Sequence, residues 1–168
     1  MFAYNIFLIG FMGTGKTTVS HEIAHKYDFK VAEMDEEIAI KEEKSIPQIF
    51  EKCGEEYFRN LETKYLEDLQ SSKGKVVSCG GGAVLRKENV ILMKKIGKVI
   101  LLTASPDVIY ERVKDDNGRP LLQGRKNLEA IKDLMEERRE RYEAAADIIV
   151  HTDGKSAEEI CEEIMSKL

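Results

Sequence analysis

Gly10-Phe11-Met12-Gly13-Thr14-Gly15-Lys16-Thr17 has the G-x-x-x-x-G-K-[ST] form of a phosphate-binding loop. Immediately before it, Ile6-Phe7-Leu8-Ile9 reads as a short buried strand, and Thr17-Thr18-Val19 opens an amphipathic stretch with helical spacing. Strand, glycine loop and helix in that order are what the chemistry requires. The glycines let the chain turn tightly and bring successive N–H groups to phosphate oxygens, while the helix N-terminus adds its partial positive charge. Lys16 supplies a mobile cation and Thr17 a hydroxyl suited to Mg²⁺. The expected ligand is a nucleoside triphosphate.

Composition narrows what surrounds that loop. A chain of 168 residues with 42% apolar content suits one compact domain, expected to span residues 1–168. A net charge of −5 argues against nucleic acid or an anionic membrane as partner, because both reward a basic surface. Cys53, Cys79 and Cys161 are odd in number and lack C-x-x-C spacing, so ordinary thiols in a reducing cytoplasm are expected rather than disulfides or a zinc site. The N-terminal apolar run has no basic region before it and stops at the glycine loop, which makes it a strand rather than a signal peptide. With no apolar stretch of membrane-spanning length, a cytoplasmic protein is expected.

Taken in order, residues 18–27 place Val19, Ile23, Ala24 and Tyr27 on one helical face, and residues 28–32 return as a second strand. That strand runs into Glu33-Met34-Asp35, whose two carboxylates are expected to leave the strand end on the same side. Ser45-Ile46-Pro47-Gln48 has capping-box form with proline in the first turn, so a helix starts there and stops at Gly54. Residues 55–70 form a longer helix with Phe58, Leu61, Leu66 and Leu69 at helical spacing. A third strand at 75–78 leads into Cys79-Gly80-Gly81-Gly82, where successive glycines admit close backbone contact with a ligand. Helices at 89–96 and 106–113 flank a fourth strand at 98–103. Residues 114–126 break the pattern with two glycines, a proline and several charges, and read as a mobile lid. A charged helix over 128–145, a fifth strand at 147–150 and a helix over 156–168 complete an alternating order that favours a parallel sheet.

In an open parallel sheet, ligands collect beyond the C-terminal strand ends. Here those ends carry the phosphate loop, Glu33 with Asp35, and the triple glycine, so three segments converge on one crevice. Carboxylates beside a triphosphate can hold Mg²⁺ through water and orient or deprotonate an attacking hydroxyl. Asp35 is assigned to the hydroxyl and Glu33 to the metal's water shell. Arginine use supports an anionic second ligand: the chain has 18 lysines but only 8 arginines, and Arg59, Arg119 and Arg138 fall where a site is expected. A planar two-pronged donor suits carboxylates and phosphates better than lysine does.

With these residues in place, the chain resembles the shikimate kinase family along nearly its whole length. The match includes the glycine loop, the acidic pair, Phe58-Arg59-x-x-Glu62, Gly80-Gly81-Gly82, Arg119-Pro120-Leu121-Leu122, and Arg138 four residues before Tyr142. The resemblance implies a five-stranded parallel sheet flanked by helices, a P-loop kinase architecture like that of nucleoside-monophosphate kinases, with the lid at about 114–126 and an acceptor-binding region at about 33–62. It implies transfer of the γ-phosphoryl group of ATP to the 3-hydroxyl of shikimate, with Mg²⁺, in aromatic amino-acid biosynthesis. Lys16, Asp35 and Arg119 would be catalytic. Gly13, Thr14, Gly15, Lys16, Thr17, Thr18 and Arg119 would hold ATP, with Arg112, Asp153 and Ser156 flanking adenine. Asp35, Arg59, Gly80, Gly81, Gly82 and Arg138 would hold shikimate, with Glu62 steadying Arg59. Thr17 would bind Mg²⁺, and Glu33 and Asp35 would reach it through water. Family members commonly carry aspartate where Glu33 stands, so this position departs from the pattern. The working unit is expected to be a monomer. A kinase of another small hydroxylated metabolite such as gluconate, or a nucleotide-binding switch without turnover, are the alternatives. Against a switch, the chain has no Asn-Lys-x-Asp guanine-reading sequence.

Overall fold

The computed structural model describes residues 2–115 and 127–168. The expected lid therefore lies, apart from residues 114 and 115, outside the described residues, as does Arg119.

Five strands form one parallel sheet in the order β2-β3-β1-β4-β5, with β1 at Asn5–Ile9, β2 at Lys30–Glu33, β3 at Lys75–Ser78, β4 at Gly97–Thr103 and β5 at Ile148–His151. The register pairs Phe7 with Val77 on one side and with Val99 on the other. β1 is buried along its whole length, which is why its sequence is an unbroken apolar run after Asn5 rather than an alternation. Its side chains divide between two layers. Ile6 and Leu8 pack with Val19 and Ile23 of helix α1 (Lys16–Tyr27) and Ile160 and Ile164 of α8 (Ala157–Lys167). Phe7 and Ile9 face a larger layer that includes Ile49, Phe58, Leu66, Met93 and Tyr142. That layer is built from α3 (Ile46–Cys53), α4 (Glu55–Asp68), α5 (Lys87–Ile96), α6 (Pro106–Val113) and α7 (Leu128–Ala145).

Local signals in the sequence account for most element ends. The Ser45 hydroxyl accepts the Gln48 amide while the Gln48 side chain returns to the Ser45 amide, the reciprocal capping box expected there. Asn127 caps α7 by accepting the Ala130 amide. One expectation changes. Glu33 ends β2, but Met34 opens a helix, α2 (Met34–Glu42), to which the sequence reading assigned no element. Asp35 therefore projects from a helical first turn and not from the strand end. Two features favour that turn: Met34 and Ile38, four residues apart, are both buried, and Asp35, Glu36 and Glu37 lie beside the positive end of the helix.

Candidate active site

The loop after β1 takes its shape from glycine. Gly10, Gly13 and Gly15 all have φ between 79° and 146°, and a Cβ at Gly10 would collide with the Leu102 carbonyl of the adjoining strand. α1 starts directly at Lys16, so its free N–H groups face the cleft. The Lys16 ammonium donates to the Gly10 carbonyl at 2.9 Å and the Phe11 carbonyl at 3.1 Å, folded over the loop's own backbone. Arg112, from α6, crosses the loop and donates to the Gly13 carbonyl at 2.7 Å.

A cleft of about 590 Å³ opens over this loop and extends to Glu33, Asp35, Gly80 and Gly81. Gly13, Thr14, Gly15, Lys16, Thr17, Thr18 and Arg112 all line it, so the structure brings together most of the residues expected to hold ATP. Asp153 and Ser156 do something else. Both oxygens of the Asp153 carboxylate accept the Ser105 amide at 3.1 Å ahead of α6, and Ser156 forms a capping box with Glu159 at the start of α8. Their neighbours Thr152 and Lys155 line the cleft in their place. The form Ser156-x-x-Glu159 could have revealed the capping role in advance.

Behind the glycine loop stands a buried ionic cluster. Arg59 and Glu62 from α4 and Arg138 from α7 are all buried, Glu62 completely. Arg59 Nη1 donates to Glu62 Oε1, and Nη2 reaches Glu55 at 3.2 Å. The glycines make room for these groups. A Cβ at Gly80 would sit 2.7 Å from Asp35 Oδ1 and 3.0 Å from Glu62 Oε2, and one at Gly82 would overlap the Arg59 guanidinium. Only Gly81 has ordinary clearance, 3.8 Å from both Arg138 Nη1 and the Tyr142 hydroxyl. Tyr142 in turn donates to the Gly81 carbonyl and fixes the loop. At two positions of the triple glycine, packed side chains thus occupy the space a Cβ would take, where the sequence suggested ligand contact alone.

Three buried atoms of this cluster, Arg59 Nε, Glu62 Oε2 and Arg138 Nη1, have no hydrogen-bond partner among the described residues. An unsatisfied buried donor on a charged group is costly, and an anionic ligand or ordered water removes that cost. Two arginines ending at one glycine loop present planar donors of the kind that suits a carboxylate.

Burial pushes the Glu62 carboxyl up to about 7 from an ordinary 4.5, against the pull of Arg59, and the charge of Asp35 pushes the same way. The folded chain therefore binds this proton more tightly than the unfolded chain. Stability from this group is fully present below about 4.5 and is lost as pH rises through about 7. A Glu62→Gln variant is expected to flatten that limb. Urea unfolding from pH 4.5 to 8 checks it, and parallel pH profiles for parent and variant would refute it. Cys79 also lines the cleft, but burial pushes its thiol up, away from the thiolate form that reacts.

The oxygen donors at the cleft suit Mg²⁺. Thr17, Glu33 and Asp35 offer a hydroxyl and two carboxylates, all hard ligands. No cluster of three or more His, Cys, Asp or Glu side chains able to cage an ion occurs among the described residues.

This arrangement has counterparts among known proteins. The family model for shikimate kinase matches residues 12–168. The chain belongs to the shikimate kinase family. It is 44% identical to the shikimate kinase of Persephonella marina over 98% of each chain. Among solved structures, shikimate kinase from Acinetobacter baumannii in complex with shikimate superposes with a TM-score of 0.92 at 35% identity, over 97% of this chain and 91% of the other. The enzyme from Aquifex aeolicus gives 0.84 at 42% identity, over 97% and 95%. Like its family, the chain is a transferase that phosphorylates shikimate with ATP, and the gluconate kinase and switch alternatives are not favoured.

Proposed function

We propose that this shikimate kinase site transfers the γ-phosphoryl group of ATP to the 3-hydroxyl of shikimate, leaving ADP, with each substrate held by its own half of the cleft. The observation that carries the reading is the approach of buried Arg59 and Arg138 to the glycine loop, with Asp35 packed against Gly80 on the side of the phosphate loop. The arginines take the acceptor's carboxylate, Glu62 holds Arg59 in place, and Gly80, Gly81 and Gly82 let the acceptor approach the backbone. Asp35 accepts the proton of the attacking hydroxyl. The α1 N-terminus and the loop amides of Gly13, Thr14, Gly15 and Thr18 receive phosphate oxygens. Lys16 exchanges its two backbone carbonyls for the phosphates, a compensated move that keeps its charge solvated by oxygen throughout.

A bound Mg²⁺ would supply positive charge against the triphosphate. Thr17 would hold it directly, and Glu33 and Asp35 through water. Arg112 flanks the nucleotide. Arg119, outside the described residues, is read as reaching the transferring phosphate from the lid proposed at about 114–126, a reading supported by its resemblance to the family motif. Residues 1–168 act as one kinase domain, with the acceptor region at about 33–62. The unit is read as a cytoplasmic monomer, and the net charge of −5 supports the part of that reading that leaves out nucleic acid and anionic membranes as partners. No helix among the described residues is long and apolar enough to cross a membrane.

Incubation with ATP and Mg²⁺ plus shikimate or gluconate, read by mass and by phosphorus NMR, tests the reading. One phosphoryl group on the 3-hydroxyl of shikimate is expected. A product phosphorylated at another hydroxyl would overturn the regiochemistry, and comparable turnover of gluconate would overturn the choice of shikimate as the acceptor.

A further inference from the structure

Ser20 lies one turn beyond Thr17 on α1 and is completely buried between that helix and the sheet. Its hydroxyl is 2.7 Å from the Thr17 carbonyl and 3.1 Å from Glu33 Oε1. The other oxygen of the same carboxylate, Oε2, accepts the Thr17 hydroxyl at 3.1 Å. Glu33 is therefore gripped by two hydroxyls from one face of α1, one on each oxygen.

The Ser20 proton has two acceptors within reach. A carbonyl inside a helix already receives the amide four residues on. A carboxylate is the stronger acceptor, its charge-assisted bonds being roughly twice as strong as neutral ones. The proton is thus shared in a forked bond in which Glu33 is the partner with no competing helical donor. His21 does not substitute for Ser20. Its Nε2 is 3.8 Å from Glu33 Oε1, beyond hydrogen-bond reach, and its side chain is 63% exposed, where an ion pair is strongly screened.

A glutamate needs such a grip more than an aspartate does. It has one more rotatable bond to immobilise. Its carboxylate also reaches about 1.5 Å further from the backbone, one C–C bond length. An aspartate at position 33 would withdraw from Ser20 by about that distance. The bond from Thr17 to Glu33 has a consequence of its own: with the hydroxyl proton committed to Glu33, the oxygen's lone pairs turn to the cleft, where a cation needs them.

We propose that Ser20 is a positioning residue that locks Glu33 onto the Thr17 hydroxyl, so that the glutamate at this position organises Thr17 for Mg²⁺. The inference rests on the metal role of Thr17 proposed above. It makes Ser20 and the length of the residue-33 side chain a coupled pair.

Calorimetric binding of ADP with and without Mg²⁺, which needs no turnover, tests the link in four proteins: the parent, Ser20→Ala, Glu33→Asp and the double variant. In the parent background Ser20→Ala is expected to weaken binding about fivefold with Mg²⁺ and to leave metal-free binding unchanged. In the Glu33→Asp background the same change is expected to be silent, because the carboxylate no longer reaches position 20. Ser20→Cys, close to serine in size but a weak donor, is expected to match alanine and carries the test if the alanine variant does not fold. Equal losses in both backgrounds, no loss at all, or a matching loss of metal-free binding would overturn the Ser20 link while leaving the metal role of Thr17 standing. A parent whose ADP binding ignores Mg²⁺ would overturn the metal role itself, and the inference with it.

Discussion

Asp35→Asn is expected to lower kcat by about 10²–10⁴-fold, the usual worth of a positioned general base, with ATP affinity nearly unchanged. Asparagine keeps the size and most of the polarity of aspartate, so the packing against Gly80 survives and only the proton acceptor is lost. Nucleotide affinity is spared because the triphosphate is held mainly by the loop amides, Lys16 and Thr17. Steady-state kinetics with equilibrium ADP binding separates the two effects. Turnover within a few-fold of the parent would remove Asp35 from the catalytic role. A second readout comes from Glu62. Since the Asp35 charge helps raise the Glu62 carboxyl, removing it is expected to lower the pH at which Glu62 titrates, a shift visible in the pH dependence of unfolding.

The second large effect is expected in substrate affinity. Arg138→Ala should raise KM for shikimate by about 10- to 150-fold, the range of a lost hydrogen bond to a charged partner of 1.5–3 kcal/mol. KM for ATP should change little. Arg138 is buried, and its Nη1 has no partner among the described residues and stands 3.8 Å from where a Gly81 side chain would begin. On the proposed reading, an incoming carboxylate completes this donor. Arg138→Lys is expected to recover little of the loss, because an ammonium lacks the planar fork. An unchanged KM for shikimate would show that the carboxylate binds elsewhere.

These two residues differ in how readily sequence reveals them. Arg138 belongs to a sparse set of arginines in a lysine-rich chain, but Arg139 and Arg141 lie beside it, and only its burial in the structure separates it from them. Asp35 is legible as half of an acidic pair, yet its helix is not, since the carboxylates from Glu33 to Glu37 carry no apolar helical spacing of their own. Burial of Met34 and Ile38 turns that run into the first turn of α2, and the burial exists only once β2 has docked beside β3. Asp153 and Ser156 show another limit of local reading: their side chains are engaged at the starts of α6 and α8, contacts the resemblance alone does not reveal.

The sequence by itself determined the phosphate loop, the helix caps at Ser45 and the parallel alternation of strands and helices. Those features depend on neighbours within a few residues, where backbone geometry and turn chemistry act directly. Tertiary structure decided everything that joins distant segments. A side chain at Gly80 or Gly82 would displace Asp35, Glu62 and Arg59, which arrive from α2 and α4 to occupy that space. Ser20 matters because α1 lies across the end of β2 and delivers its hydroxyl to Glu33, thirteen positions away in the chain. Such contacts follow from packing two layers onto one sheet, and no local spacing encodes them.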